Sequence, residues 1–257
     1  MKVRNLLLFT ASAASLLAGT SASEAASTYV SLFGGASLLQ KPGLKGISHT
    51  HSTTYTFVSH QSVDTSFKTG FVVGGNWGID WGTFRTELEA AYHGNTSKSS
   101  ARVRTLYQYA GHTHTGGGAT GPGWNPLTTL SQSTGNQPAN IKLNAYSLMA
   151  NVWYDFHDFG QSFGVTPYVG GGIGLAQIQI GGKLGGNNLI EKNDYVFAWQ
   201  LGAGASVPLS DDISFFADYR YFAADGAKLR IAPGLHGGDV DADFDSHEVL
   251  LGFRLTL

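Results

Sequence analysis

The final strand of the chain carries the strongest constraint on its fold. From His247 onward, Val249, Leu251, Phe253, Leu255 and Leu257 alternate with Glu248, Leu250, Gly252, Arg254 and Thr256. Successive side chains of a strand point to opposite faces, so one face is a strict apolar row and the other carries both signs of charge. That arrangement suits a wall between lipid and a polar lumen better than the edge of a soluble core.

The beginning of the chain agrees. Lys2 and Arg4 precede an apolar stretch from Leu6 to Leu17, and Ser23 and Ala25 stand as the −3 and −1 positions of a cleavage site. This predicts a secretory signal peptide over 1–25 and a barrel domain over 26–257. The apolar stretch is shorter than the ~20 residues a helix needs to cross a bilayer. No longer apolar helix follows, so an inner-membrane helical protein is excluded.

Composition fits the same class. The chain has no Cys and 35 Gly, with 13% charged residues and a formal net charge of −2. A secreted chain of this size without disulfides needs another constraint, which a closed ladder of backbone hydrogen bonds in lipid supplies. No basic tract marks a nucleic-acid partner.

Period-two alternation then predicts eight spanning strands. The first runs from Tyr29 to Ser37 and the second from Phe67 to Ile79, with Phe67, Phe71, Val73, Trp77 and Ile79 on one face and Lys68, Gly74 and Asn76 on the other. In the third, Phe84, Thr86, Leu88, Ala90 and Tyr92 alternate with Arg85, Glu87, Glu89, Ala91 and His93. The remaining strands are read near 141–155, 166–180, 195–207, 213–221 and 248–257, and the glycine cluster from Gly170 to Gly174 marks a place where the wall bends or yields space to other side chains. The connections at 80–82, 155–162 and 208–212 are short, whereas those at 39–66, 94–140, 181–193 and 223–246 are long. Short periplasmic turns and long external loops are the usual asymmetry of an up-and-down membrane barrel. Thr53 to Val58 and Arg102 to Tyr109 also alternate and would make a ten-strand barrel; lying in different loops without spanning partners, they are read as hairpin extensions above the membrane.

The predicted fold is thus an all-β, eight-stranded antiparallel transmembrane barrel. Its lumen is expected to hold an ionic network of Lys68, Arg85, Glu87, Glu89, Lys142, Asp218, Arg220, Glu248 and Arg254. An eight-strand interior is just wide enough for side chains to fill, so these groups are read as a plug of mutually neutralising charges, not a diffusion pore. Aromatics such as Tyr29, Trp77, Phe84, Tyr92, Tyr146 and Tyr154 are assigned to the membrane interfaces.

The terminal strand, the stretch FVVGGNWGIDWGTFRTELEAAYHG from Phe71 to Gly94, and TPYVGGGIGLA from Thr166 to Ala176 resemble the small opacity-protein or OmpA-like "porin family" barrels, of the alphaproteobacterial surface antigen type. The resemblance implies a monomeric Gram-negative outer-membrane protein, with outer-membrane lipid and lipopolysaccharide around it and the barrel-assembly machinery reading its terminal strand. It also implies host or surface ligands met through the loops. That family usually ends in Phe, and here the last residue is Leu257, which bears on insertion efficiency. No cofactor and no enzyme activity is expected.

Two other functions compete. Lipid-A-modifying enzymes also use eight-strand barrels, and His60, Ser62 and Asp64 would share one strand face, the residue set of a base-activated nucleophile. Parity with Lys68 puts that face on the lumen side, away from the lipid boundary such chemistry needs. The second alternative is a loop-based metal or haem binder. His49/His51 and His112/His114 are His-x-His pairs, and His60, His93, His236 and His247 also lie in the long loops or at the strand ends bordering them, where imidazoles could converge on Zn, Cu or haem.

Overall fold

The computed structural model describes residues 26–40, 44–51, 55–111, 128–157, 164–188, 192–230 and 239–257. The leader read over 1–25, His112, His114 and His236 lie outside them. The described chain forms β1 (Ser27–Leu39), β2 (Leu44–His51), β3 (Tyr55–Phe67), β4 (Gly70–Asp80), β5 (Phe84–Gly111), β6 (Thr128–Asp155), β7 (Thr166–Leu184), β8 (Asn187–Asn188), β9 (Lys192–Pro208), β10 (Ile213–Arg230) and β11 (Asp239–Thr256).

Eight of these close on themselves. Antiparallel ladders run β1 to β4, β4 to β5, β5 to β6, β6 to β7, β7 to β9, β9 to β10 and β10 to β11. The last pairing, β11 to β1 from Tyr29↔Thr256 to Leu39↔Ser246, completes the ring. Every spanning strand therefore has two partners, the condition for burying a polar backbone in hydrocarbon.

The extra strands belong to a continuation of the wall. β2 pairs with β3, β3 with the far part of β5, and β2 with the start of β11. This hairpin takes the places of β1 and β4 above the point where those strands end, as an extension and not a fifth spanning pair. Much of the sequence read as the second long loop is strand as well: β5 continues to Gly111 and β6 begins at Thr128. The Thr- and Ser-rich composition that reads as loop is equally that of a sheet facing water.

The two levels of the wall have opposite polarity. In the lower part the outer face is apolar, with Leu88, Leu148, Val152, Ile173, Leu175, Phe197 and Leu251 exposed. The stretch from Phe84 to Tyr92 matches the ~9 to 11 residues a tilted strand needs to span. Higher up the pattern inverts. On β7 the outward positions become Gln177 and Gln179, while inward Ala176, Ile178 and Ile180 are buried. Ile141, Leu143, Ala145, Val196, Phe222 and Phe244 join them in one apolar cluster inside the upper barrel. Apolar-out with a polar lumen gives way to polar-out with an apolar core, so lipid surrounds the lower part and water the upper.

A one-residue irregularity corrects the parity of the second strand. Phe67 pairs with Ser97 but Phe71 pairs with Gly94, so an extra residue sits between β3 and β4. The face flips there: Phe67 packs against the inner cluster, whereas Phe71 is exposed. A bulge of this kind leaves no mark on simple alternation.

Candidate functional site

The lumen of the membrane-embedded part is filled by hydrogen-bonded charge arranged in three levels. Nearest the short turns, the Arg85 guanidinium donates to both carboxylate oxygens of Asp155, from Nε at 2.7 Å and Nη2 at 3.0 Å. Its Nη1 also donates to Glu87 Oε1 at 3.2 Å. Glu87 further accepts from Tyr29 Oη at 2.7 Å and Trp153 Nε1 at 2.9 Å. Tyr29 is thus a lumen residue and not an interfacial one; its position on the face of Ser31 and Phe33 puts it inside.

At mid-level Arg220 bridges two carboxylates, reaching Glu89 Oε2 at 2.6 Å and Asp218 Oδ2 at 2.6 Å. Asn151 and Gln200 donate to Glu89 at 3.1 and 3.3 Å, and Tyr168 donates to Asp218. The glycines make room for this crossing. A Cβ on Gly204 would collide with the Asp218 carboxylate and the Tyr168 ring, and one on Gly170 would meet the Trp153 ring. The glycine-rich strands β7 and β9 therefore lie where bulky lumen side chains arrive from other strands.

The third level holds His93, Glu248 and Ser147. His93 Nδ1 lies 2.7 Å from Glu248 Oε1 and its Nε2 lies 3.1 Å from Ser147 Oγ, while Ser246 Oγ donates to Glu248 at 2.8 Å. Serine, imidazole and carboxylate in this order have the connectivity of a nucleophile, its base and an orienting acid. Here the set is sealed. All three are buried, His93 stacks on Phe222 at 4.5 Å, and the apolar cluster lies above. His93 therefore belongs to the lumen and cannot join histidines at the rim.

Of the sequence-stated lumen residues, the structure brings together Arg85, Glu87, Glu89, Asp218, Arg220 and Glu248. Lys68 and Lys142 are corrections: both are exposed. Lys68 lies at the irregularity that flips the wall, and Lys142 shares its face with outward Tyr146. Arg254 is partly buried; its guanidinium lies over Tyr29 at 4.9 Å and Phe216 at 5.8 Å, and it makes no ion pair among the described residues. Asp155, Tyr29, His93, Asn151 and Gln200 were missed as partners. Odd parity on the fourth strand, shared with Asn151 and Trp153, was the available signal for Asp155.

The His60, Ser62, Asp64 row is corrected too. Val63 and Thr65 point inward and are buried, so Ser62 and Asp64 lie on the outward face of β3, high on the extension. Asp64 is exposed and faces Arg104 Nε at 3.7 Å. His49 and His51 occupy β2 opposite Val58 and Thr56. His247 lies on the outer face, with Nδ1 2.6 Å from Tyr219 Oη and Nε2 2.7 Å from Gln40 Nε2. His93 and His247 thus sit on opposite sides of the wall.

Comparison with known proteins places this architecture. The family described as Surface antigen matches residues 11–243. Outer membrane protein PagN of Salmonella typhimurium is 30% identical over 116 residues, 43% of this chain and 46% of that protein, so the chain spans just under half the length of this relative. Neisserial surface protein A aligns with 90% of this chain and 99% of its own at 16% identity, with a TM-score of 0.45. OprG of Pseudomonas aeruginosa aligns with 90% and 96% at 14% identity, with a TM-score of 0.46. The family match runs through nearly the whole barrel: this chain belongs to the Surface antigen family, and its place is the outer membrane.

Proposed function

We propose that this outer-membrane surface protein is a non-enzymatic, non-conducting monomer whose extension and loops meet a host or neighbouring-cell partner. One observation carries the reading: β5 and β6, 28 residues each, stay paired from Phe84↔Tyr154 to Tyr109↔Thr128, far beyond the length lipid requires. A stiff ladder of that length carries the wall well above the bilayer, and a connection on so rigid a scaffold is suited to binding. The filled lumen supports the absence of a pore, and the sealing of Ser147, His93 and Glu248 supports the absence of hydrolysis. The test is adhesion to host-cell monolayers by bacteria displaying the full protein or a form in which 112–127 is replaced by a short Gly-Ser link. Loss of adhesion with retained surface folding is the expected result; unchanged adhesion would overturn the loop assignment.

A second reading is favoured by register. His51 pairs with Thr56, and Thr56 with Ala110, so one row across β2, β3 and β5 leads to the segment that begins with His112. His49 and His51 thus stand on the sheet whose β5 strand ends at Gly111, one residue before His112 in sequence, which suits divalent metal or haem capture by the two His-x-His pairs.

A further inference from the structure

The lysines that parity had placed in the lumen lie together on the outside. The Lys68 N–H donates to the Thr96 carbonyl at 2.9 Å, Thr96 pairs with Lys142, and Lys142 pairs with Gly181. Lys98 is two residues beyond Thr96 on β5, and Lys183 two beyond Gly181 on β7. All four lysines are exposed, and none makes an ion pair with a described residue. A groove of about 250 Å³ opens beside Lys142, lined also by Gln179, Gly181 and Asn193.

Their height on the wall is set by the aromatic row beneath them. Phe71, Tyr92 and Tyr146 form a continuous outward chain, with ring centroids 5.6 and 4.9 Å apart, and Gln177 donates to Tyr195 at 3.0 Å to extend it. Below this row the outer face is apolar; above it the face is polar. Four residues of strand separate Tyr92 from Thr96, about 13 Å along the strand and roughly 10 Å along the membrane normal at the usual tilt. Lys98 and Lys183 stand two residues further, roughly 15 Å above the row, so the four ammonium groups lie at and just above the head groups, where a long stem reaches down to phosphate. Ammonium groups on flexible stems at this depth reach phosphate while their methylenes cover apolar surface.

We propose that the outer face of β5, β6 and β7 at this level is a docking site for phosphorylated glycolipid of the outer leaflet. Lys68, Lys98, Lys142 and Lys183 neutralise its phosphates, and the groove with Gln179 and Asn193 receives the adjoining sugar. The site rests on the outer-membrane position and is independent of what the loops bind.

The test is native mass spectrometry of the refolded protein in detergent micelles with bisphosphorylated lipid A, beside lipid A of the same acyl chains stripped of phosphate. Changing the four lysines to Gln should weaken retention of the bisphosphorylated form at least roughly tenfold, since each cation near the surface contributes to attraction. Changing them to Arg should preserve it. Heat-dependent gel mobility confirms that both variants are folded. Millimolar inorganic phosphate should not displace the lipid. Undiminished retention by the Gln variant, equal retention of dephosphorylated lipid A by the wild type, or displacement by free phosphate would each overturn the proposal.

Discussion

Arg85 and Asp155 meet inside the barrel in a two-point ion pair, at 2.7 and 3.0 Å, with both side chains almost wholly withdrawn from solvent. Arg85 lies on the clearest alternating strand, and Asp155 is the last residue of β6, so this contact fixes the end of one strand against the next. Removing one member of such a pair leaves the other charge buried without compensation. Arg85→Ala should therefore destabilise the protein by about 3 to 5 kcal/mol, more than an exposed substitution such as Lys98→Ala, as measured by urea titration in lipid. Equal effects would mean that Arg85 is hydrated and the lumen open.

Leu88 tests the lipid face. It lies between Trp77 and Ala150 in the ladder and is exposed on the membrane side. Leu88→Arg should cost about 2 to 4 kcal/mol, whereas Gln177→Arg, level with the aromatic row at the interface, should cost about 1 or less. Asn151 is not a lenient lumen position, because it donates to Glu89 and accepts from Gln200. The same unfolding titrations decide, and a costly Gln177→Arg would move the membrane boundary.

The packed lumen has an electrical consequence. Three levels of bonded side chains lie below the apolar cluster in an eight-strand interior only wide enough for side chains, so planar-bilayer recordings should show no large steady conductance. A stable wide-pore current would contradict the plug.

Ser147 offers a chemical check on the same sealing. A fluorophosphonate probe should leave the folded protein unlabelled, because Ser147, His93 and Glu248 are all buried. Labelling at Ser147 that is lost in His93→Ala would make the set reactive and the enzyme reading correct.

The loop histidines carry a pH prediction. Neutral imidazole is the metal-binding form, and an ordinary histidine titrates near 6.5, so Zn or haem binding through His49, His51, His112 and His114 should fade as pH falls through about that value. Calorimetry on the refolded protein and on a variant with these four changed to Ala measures it. Identical binding by both proteins would leave the histidines as polar surface.

Much of this architecture was legible because membrane strands leave a two-residue period in the sequence. The spanning strands, the short turns and the inward charges of β5, β10 and β11 follow from that period alone. What escaped it was local. One inserted residue near Lys68 reverses the face of β3 relative to β4, and no composition signal marks such a bulge. The apolar upper core was hidden because Ile178 and Ile180 read as an ordinary strand until Gln177 and Gln179 are known to stand in water. His93 and Glu248 are 155 residues apart in sequence, and only closure of the ring makes them neighbours.

Polarity reverses along β7 between its lipid-facing and water-facing halves, and nitroxide accessibility along that strand locates the reversal. Labels placed one at a time at the outward positions 173, 175, 177, 179 and 183 of the bilayer-reconstituted protein should show high oxygen contact at 173 and 175. Contact with a water-soluble nickel chelate should dominate at 179 and 183, with the crossover at 177 beside Tyr146 and Tyr195. Oxygen contact continuing through 183, or chelate contact already at 173, would contradict an extension standing in water above a lipid-embedded barrel.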